Sequence, residues 1–319
     1  MRLRTIPTDA YARDILPVTA PLWAGTRDLA TYKKQTSDLA RSTYGRRNYR
    51  TVGLFDGGHW LASCKRYQRI FHFGAARLRA VGFGAVFTPS PLRGRGYATA
   101  MLALLMDEAR AADVDVAYLF SDIQPAFYRT LGFIECPSHD FTMRSDALPA
   151  ERIRSRRIDD RDWGDVARCF RRLQSSEPWR LERSPAMWSW VRMRLQQRSQ
   201  NRSAHIVTLA AASKGRVVAY VIGDRRPRKD TFFLNELGWS GEAGSVAIGP
   251  LLRNAAGDLR KISGWLPPSC ALAPVHKYRI RARKDAILMM TPFSTRGRRL
   301  VKVASAETAR DAVWSTDHI

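Results

Sequence analysis

The chain has 319 residues, 45% of them hydrophobic, and its 53 basic and 29 acidic side chains give a formal net charge of +24. That size and apolar content exclude a disordered chain and leave room for two ordinary domains. No apolar run reaches the ~20 residues of a membrane span, and the basic N-terminus lacks a signal-type apolar core, so a cytoplasmic protein with no membrane partner is expected.

The elements begin with helical spacing in "DAYARDILPVTAPLW" and "DLATYKKQTSDLARSTYG". Two extended runs then flank Asp56-Gly57-Gly58, a hairpin signature. In "LRAVGFGAVF" Val81, Phe83, Ala85 and Phe87 fall on one strand face, while Gly82 and Gly84 imply a bulge or a closely approaching backbone. Pro89 and Pro91 end that strand. After Gly96 a helix carries Ala98, Met101, Leu102, Leu105, Ala109 and Ala112 as one apolar stripe. "VAYLF" (116–120) reads as a short buried strand and "PAFYRTLGF" (125–133) as a short helix closed by Gly132. The polar stretch 144–157 marks a boundary, dividing the chain into 1–148 and 149–319.

The second half repeats this order more weakly. "AHIVTLAAA" and "RVVAYVIGD" form a hairpin through Lys214-Gly215, "DTFFLNELGW" is a strand and "SVAIGPLLRNAAGDL" a helix. Between that strand and helix stands Gly241-Glu242-Ala243-Gly244, with an acidic residue and no arginine, as in a copy that has lost an anion loop.

Charge is uneven. Residues 1–150 hold 20 basic against 13 acidic side chains, and residues 151–319 hold 33 against 16. Such an excess attracts acidic ligands over long range, but no nucleic-acid motif accompanies it. The four cysteines, Cys64, Cys136, Cys169 and Cys270, form no C-x-x-C pair and the six histidines have no ligand spacing, so neither a disulfide framework nor a metal is expected. The sequence leaves the oligomeric state open.

The stretch richest in chemistry is Arg93-Gly94-Arg95-Gly96-Tyr97-Ala98, a glycine-arginine turn running from a strand into a helix. A helix N-terminus offers free N–H groups and the positive end of the macrodipole, and glycines let the backbone curl around a phosphate. A pyrophosphate is the natural occupant.

This turn resembles the acetyl-CoA loop Q/R-x-x-G-x-G/A of the GCN5-related N-acetyltransferase (GNAT) superfamily, and "VAYLFSDIQPAFYRTLGF" resembles that superfamily's later strand and helix. The two-copy arrangement is similar to the enhanced-intracellular-survival acetyltransferases, although too few residues follow "GWLPP" for their sterol-carrier-like domain. The resemblance implies an α/β (α+β) class of tandem GNAT folds, with mixed, mostly antiparallel sheets flanked by helices. It also implies acetyl-CoA as co-substrate and direct transfer of acetyl to a primary amine of a small molecule or amino acid.

In that reading the amides of Arg95, Gly96, Tyr97 and Ala98 hold the diphosphate, with Arg93, Gly94 and Arg95 shaping and charging the turn. Ala85, Val86 and Phe87 pair with the pantetheine arm as an added strand, and Ser121 and Asp122 face its other side. Tyr128 matches the superfamily's tyrosine, which protonates the departing thiolate. For the base, the resemblance points to the carboxylate of Ile319 on a tail reaching back to the first domain, with Asp317 and His318 as alternatives on the same segment. The acceptor pocket is expected between the two copies, lined by Trp314 and Asp317, in a half that also holds Trp163, Trp179, Trp188, Trp190, Trp239 and Trp265. An acceptor bearing a carboxylate or phosphate fits the charge better than a polycation. Two alternatives stay open: acetylation of a protein or nucleic-acid-associated acceptor docked on the basic half, and a non-catalytic acetyl-CoA-binding regulatory module.

Overall fold

The computed structural model describes residues 1–122, 125–151, 153–200, 205–266, 271–275, 277–309 and 312–319, so Cys270 lies outside it. Strand β1 (Arg2–Ile6) runs antiparallel to β2 (Tyr49–Asp56), with helical segments Thr8–Ala10, Tyr11–Ile15, Leu16–Trp23, Leu29–Arg41 and Thr43–Asn48 between them. The second helical stretch read from the sequence breaks in two at Ser42. Its extended backbone ends one helix, and its hydroxyl accepts from the Gly45 N–H at 3.0 Å to begin the next. Gly57 supplies the positive φ of the expected hairpin, and β3 (His59–Phe73) returns along β2.

Strand β4 (Ala76–Phe87) pairs antiparallel with β3 and parallel with β5 (Val116–Ser121), the crossover being the helix Tyr97–Ala111. That helix buries Met101, Leu102, Leu105, Met106 and Ala109 against Val52, Leu54, Val81, Phe83, Ala117 and Leu119. The opposite sheet face buries Tyr67, Phe71, Tyr118 and Phe120 against Trp179, Trp190 and Val313.

Strands β6 (Ile134–Glu135), β7 (His139–Arg144), β8 (Ser155–Arg157) and β9 (Trp179–Leu181) follow, then β10 (His205–Ser213), β11 (Arg216–Arg226), β12 (Thr231–Trp239) and β13 (Lys261–Trp265). The last two are β14 (Arg279–Ala282) and β15 (Ile287–Pro292). Two sheets result. The first has the order β1-β2-β3-β4-β5-β15-β6 with β9 also on β3, and the second has the order β14-β7-β13-β12-β11-β10-β8. Only β4–β5 and β12–β13 are parallel among these pairs. The mixed, mostly antiparallel α+β architecture with two similar units is the one expected.

A cut near residue 148 does not separate the sheets. Strand β7, from the first half, lies between β13 and β14, while β15, from the second, pairs with β5 and β6. The helix Thr295–Ala304 follows β15, and its Leu300 and Val301 join the first unit's core. The two units thus exchange strands, which ties them by backbone hydrogen bonds as well as by packing. Among the described residues no helix is long and apolar enough to cross a membrane.

Candidate active site

The glycine-arginine turn forms an open cradle. Gly94 and Gly96 have φ of 77° and 76°, and a Cβ on either would meet nothing within 4 Å. Backbone conformation requires glycine here, and the space beside it is free. Gly96 caps the helix Tyr97–Ala111 without a side-chain bond, so the N–H groups of Tyr97, Ala98 and Thr99 face outward at its positive end. Arg93 and Arg95 are exposed beside them, and Arg93 Nε donates to the Thr88 carbonyl at 3.2 Å. In the second unit Ser240 alone separates β12 from the helix Gly241–Ala256, and Glu242 occupies its first turn. That junction has no loop to wrap a phosphate and carries the wrong charge.

Next to the cradle the sheet opens. Pairing of β4 with β5 ends at Phe83 and Leu119, leaving the β5-facing edge of Gly84–Phe87 without a strand partner. On the other edge the register jumps: Lys65 faces Gly84 but Ser63 faces Phe87, so Ala85 and Val86 bulge. Ala85 has φ 48°, a left-handed conformation worth ~1–3 kcal/mol of strain in a non-glycine residue. The bulge therefore falls one residue beyond the two glycines.

Gly82 and Gly84 accommodate the end of the chain. A Cβ on Gly82 would lie 2.4 Å from Ile319 Cδ1 and 2.7 Å from Tyr118 Cζ, and one on Gly84 would lie 2.8 Å from the Ile319 carboxyl carbon. Ile319 thus rests on the first unit, at the point where β4 and β5 part.

The tail is fixed before it arrives there. Buried Gln174 donates to the Ala312 carbonyl at 3.1 Å. The Ser315 hydroxyl bonds Asn235 at 3.1 Å, and the Thr316 hydroxyl bonds Glu236. Arg183 sits at the centre, 2.8 Å from both Glu236 Oε2 and Asp317 Oδ2, and its Nη2 donates to Thr316 Oγ1 at 2.7 Å. Asn235 is where the β11–β12 register jumps, so the tail fills the second unit's counterpart of the β4 opening.

This placement corrects two expectations. Asp317 and Trp314 do not line an acceptor cavity, because each is only 2% exposed. Asp317 turns its carboxyl group inward onto Arg183, and Trp314 packs in the second unit's core. His318 lies between the Phe120 and Trp265 rings, with Nε2 3.5 Å from Asp122 Oδ1. Asp122 accordingly faces the tail. Ser121 is 1% exposed and its hydroxyl has no hydrogen-bond partner.

Tyr128, on the helix Pro125–Arg129, packs edge-on to Phe127 and Phe133 among the residues on the Tyr97–Ala111 side of the sheet. Burial, then the Asp122 and Cys64 charges, pushes its phenol up to about 12. Ile319 lies on the other side, with Tyr118 and Tyr67. Sequence reasoning missed three more groups on that face: Lys65, Tyr67 and Arg69. Their period-two spacing with Phe71 puts all of them on the apolar side of β3, a signal present in "KRYQRIF".

A bulged strand beside a parallel neighbour, opening next to a bare helix N-terminus behind a glycine-arginine turn, is the arrangement expected of a GNAT fold. Residues 23–135 match the acetyltransferase (GNAT) domain family. Among solved structures the chain is similar to a GCN5-related N-acetyltransferase from Kribbella flavida, with a TM-score of 0.67 and 16% identity over 95% of this chain and 74% of that one. Eis1 from Mycobacterium abscessus gives a TM-score of 0.62 and 14% identity over 92% of this chain and 74% of that one. A tandem GNAT protein from the clavulanic acid biosynthesis pathway gives 0.51 and 12% over 92% and 98%. At these identities the likeness is one of fold. No curated protein matches the chain.

Proposed function

We propose that the protein is an acetyl-CoA-dependent N-acetyltransferase that moves acetyl directly to a primary amine of a small molecule or amino acid. The observation that carries this reading is the pair of groups flanking the opening of β4: the Tyr128 phenol on one sheet face and the Ile319 carboxyl group on the other.

Each step draws on a group already described. The free amides of Tyr97 to Thr99, with Arg93 and Arg95, hold the diphosphate. The unpaired edge of Ala85–Phe87 takes the pantetheine amides, and the buried Ser121 hydroxyl offers one further partner. A main-chain N–H at the bulge holds the developing oxyanion, an effect of ~3 kcal/mol. The amine nitrogen attacks the thioester carbon, the C–N bond forms and the C–S bond breaks. The Ile319 carboxylate takes the proton the amine loses, and Tyr128 supplies one to the departing sulfur. A phenol kept protonated by burial is suited to that role.

The test is release of free thiol from acetyl-CoA against a panel of amines, alongside calorimetric titration of acetyl-CoA. Binding and amine-dependent release are expected, with Gly96→Val and Arg95→Ala weakening binding. Binding without release on any amine would favour a regulatory module, and no binding at all would overturn the reading.

A further inference from the structure

Arg69, on β3, is 5% exposed, and none of its three guanidinium nitrogens has a hydrogen-bond partner. A buried cation without an acceptor is costly, and native proteins rarely leave one so. Three rings hold the guanidinium in place: Tyr44 at 4.7 Å, Trp190 at 5.5 Å and Tyr67 at 5.6 Å from its carbon. Rings position the fork but cannot accept its five N–H groups in the plane. The Tyr118 hydroxyl and the Trp190 N–H are also buried without partners. Arg69 and Tyr118 are near neighbours, but do not reach hydrogen-bond geometry. Arg194 adds a second buried cation within electrostatic reach of Arg69, while Asp317, which also acts on Arg194, is already engaged by Arg183. This corner of the sheet therefore presents donors and positive charge, and the one acid among the residues lining its cavity, Glu182, is already engaged by Arg77 and His72.

The corner has space. Along the outer edge of β3, pairing with β2 stops at Tyr67 and pairing with β9 begins at Phe71. At the gap lies a cavity of about 270 Å³, lined by Arg69 together with Tyr44, Gln68, Arg79, Met187 and the ion-paired Glu182. Ile319 does not line it, but the two places share a sheet face. Tyr67 lies between them, its Cε2 3.4 Å from where a Cβ on Gly84 would sit.

We propose that Arg69 binds a carboxylate of the acceptor, so that the substrate is an amine whose opposite end carries an acid. This rests on the N-acetyltransferase reading and specifies its acceptor. The planar fork matches a carboxylate in bidentate fashion. A monoanion fits better than a phosphate dianion, because each added charge must be stripped of water in a site this buried. Spacing narrows the class further. Arg69 faces Ala80 across the strand pair, and Gly84 lies four residues along β4, ~13 Å at the usual strand rise. An acceptor reaching both places holds its amine several bonds from its acid, as in an ω-amino acid or a lysine-like side-chain amine.

The experiment compares 6-aminohexanoate with hexylamine, which lacks the acid, and with 1,5-diaminopentane, which replaces it by a cation. Steady-state kinetics are measured for the wild type, Arg69→Met and Arg69→Lys. The wild type is expected to prefer 6-aminohexanoate at least tenfold in kcat/KM. Arg69→Met should erase that preference through KM while leaving hexylamine unchanged, and Arg69→Lys should restore part of it. Equal or better turnover of hexylamine or the diamine by the wild type overturns the proposal and leaves the transferase reading intact, as does an equal loss on both acceptors in Arg69→Met. Should Arg69→Met not fold, the wild-type ranking decides alone. No turnover of any amine overturns the transferase reading itself.

Discussion

The carboxyl carbon of Ile319 lies where residue 84 would carry its side chain, 2.8 Å from a Cβ built on Gly84. Glycine at that position is thus a condition for the tail to reach the opening of β4. Gly84→Ala would force the carboxyl group away by a fraction of an ångström to about an ångström, and a misplacement of that size commonly costs ~100-fold in rate. The expected outcome is a kcat reduced by about two orders of magnitude with acetyl-CoA affinity unchanged, since the cradle at Gly94–Gly96 is untouched. Steady-state kinetics and calorimetry check it. An unaltered kcat would remove Ile319 from the mechanism.

The tail reaches Gly84 because Arg183 holds Asp317 and Glu236 together in the second unit's interior. Arg183→Met leaves two buried carboxylates facing each other without a counter-charge, a loss of ~3–5 kcal/mol for a broken buried pair. The pair Arg192–Asp160, whose carboxylate is 87% exposed, is the control, and Arg192→Ala should cost ~1 kcal/mol or less. Urea unfolding of the three proteins separates the cases. Equal midpoints for both variants would show that the triad does not anchor the tail.

Much of this was legible in local sequence. Gly57, Gly96, Gly132 and Lys214-Gly215 mark turns because each takes a positive φ, and that requirement is written in single residues. The glycine-arginine turn, the helix stripe after it and the second unit's lost loop could be read the same way. Strand exchange could not. Which sheet receives β7 or β15 depends on partners more than 100 residues away, and the alternation within "HDFTMR" or "ILMMTP" is the same in either sheet. Trp314 and Asp317 misled for a related reason. A polar-looking "WSTDHI" gives no sign that Arg183, 134 residues earlier than Asp317, neutralises its acid inside the protein.

Tyr128 carries a test in its acidity. With its phenol raised to about 12, it stays protonated through the usual assay range, so the alkaline limb of the rate profile should show no loss from this group below about pH 11. Tyr128→Phe should lower kcat by ~10²–10⁴, the range for a lost general acid, without changing acetyl-CoA binding. Packing against Phe127 and Phe133 is retained in phenylalanine, which keeps the fold out of the comparison. A kcat within twofold of the wild type would assign Tyr128 to packing alone.

Lys65 makes a prediction about stability. Its side chain is buried, bonded to the Tyr49 hydroxyl and set over the Tyr11 and Tyr49 rings, and burial lowers its pKa to about 7. In the unfolded chain the same amine has a pKa of ~10.4. Below pH 7 both states are protonated and the lysine's contribution is constant. Above it the folded protein gives up a proton that the unfolded chain keeps, so stability rises with pH, by at most ~1.4 kcal/mol per unit. Cys64 opposes this from about pH 9, because its buried thiol is pushed up to about 12 while the unfolded thiol ionises first. The window is therefore pH 7 to 9, and within it Lys65→Met should lose the upward trend that the wild type shows. Urea unfolding of both proteins at half-unit steps measures it. Parallel curves would mean that Tyr49 and the two rings keep the ammonium charged inside the fold, and that burial does not decide its state.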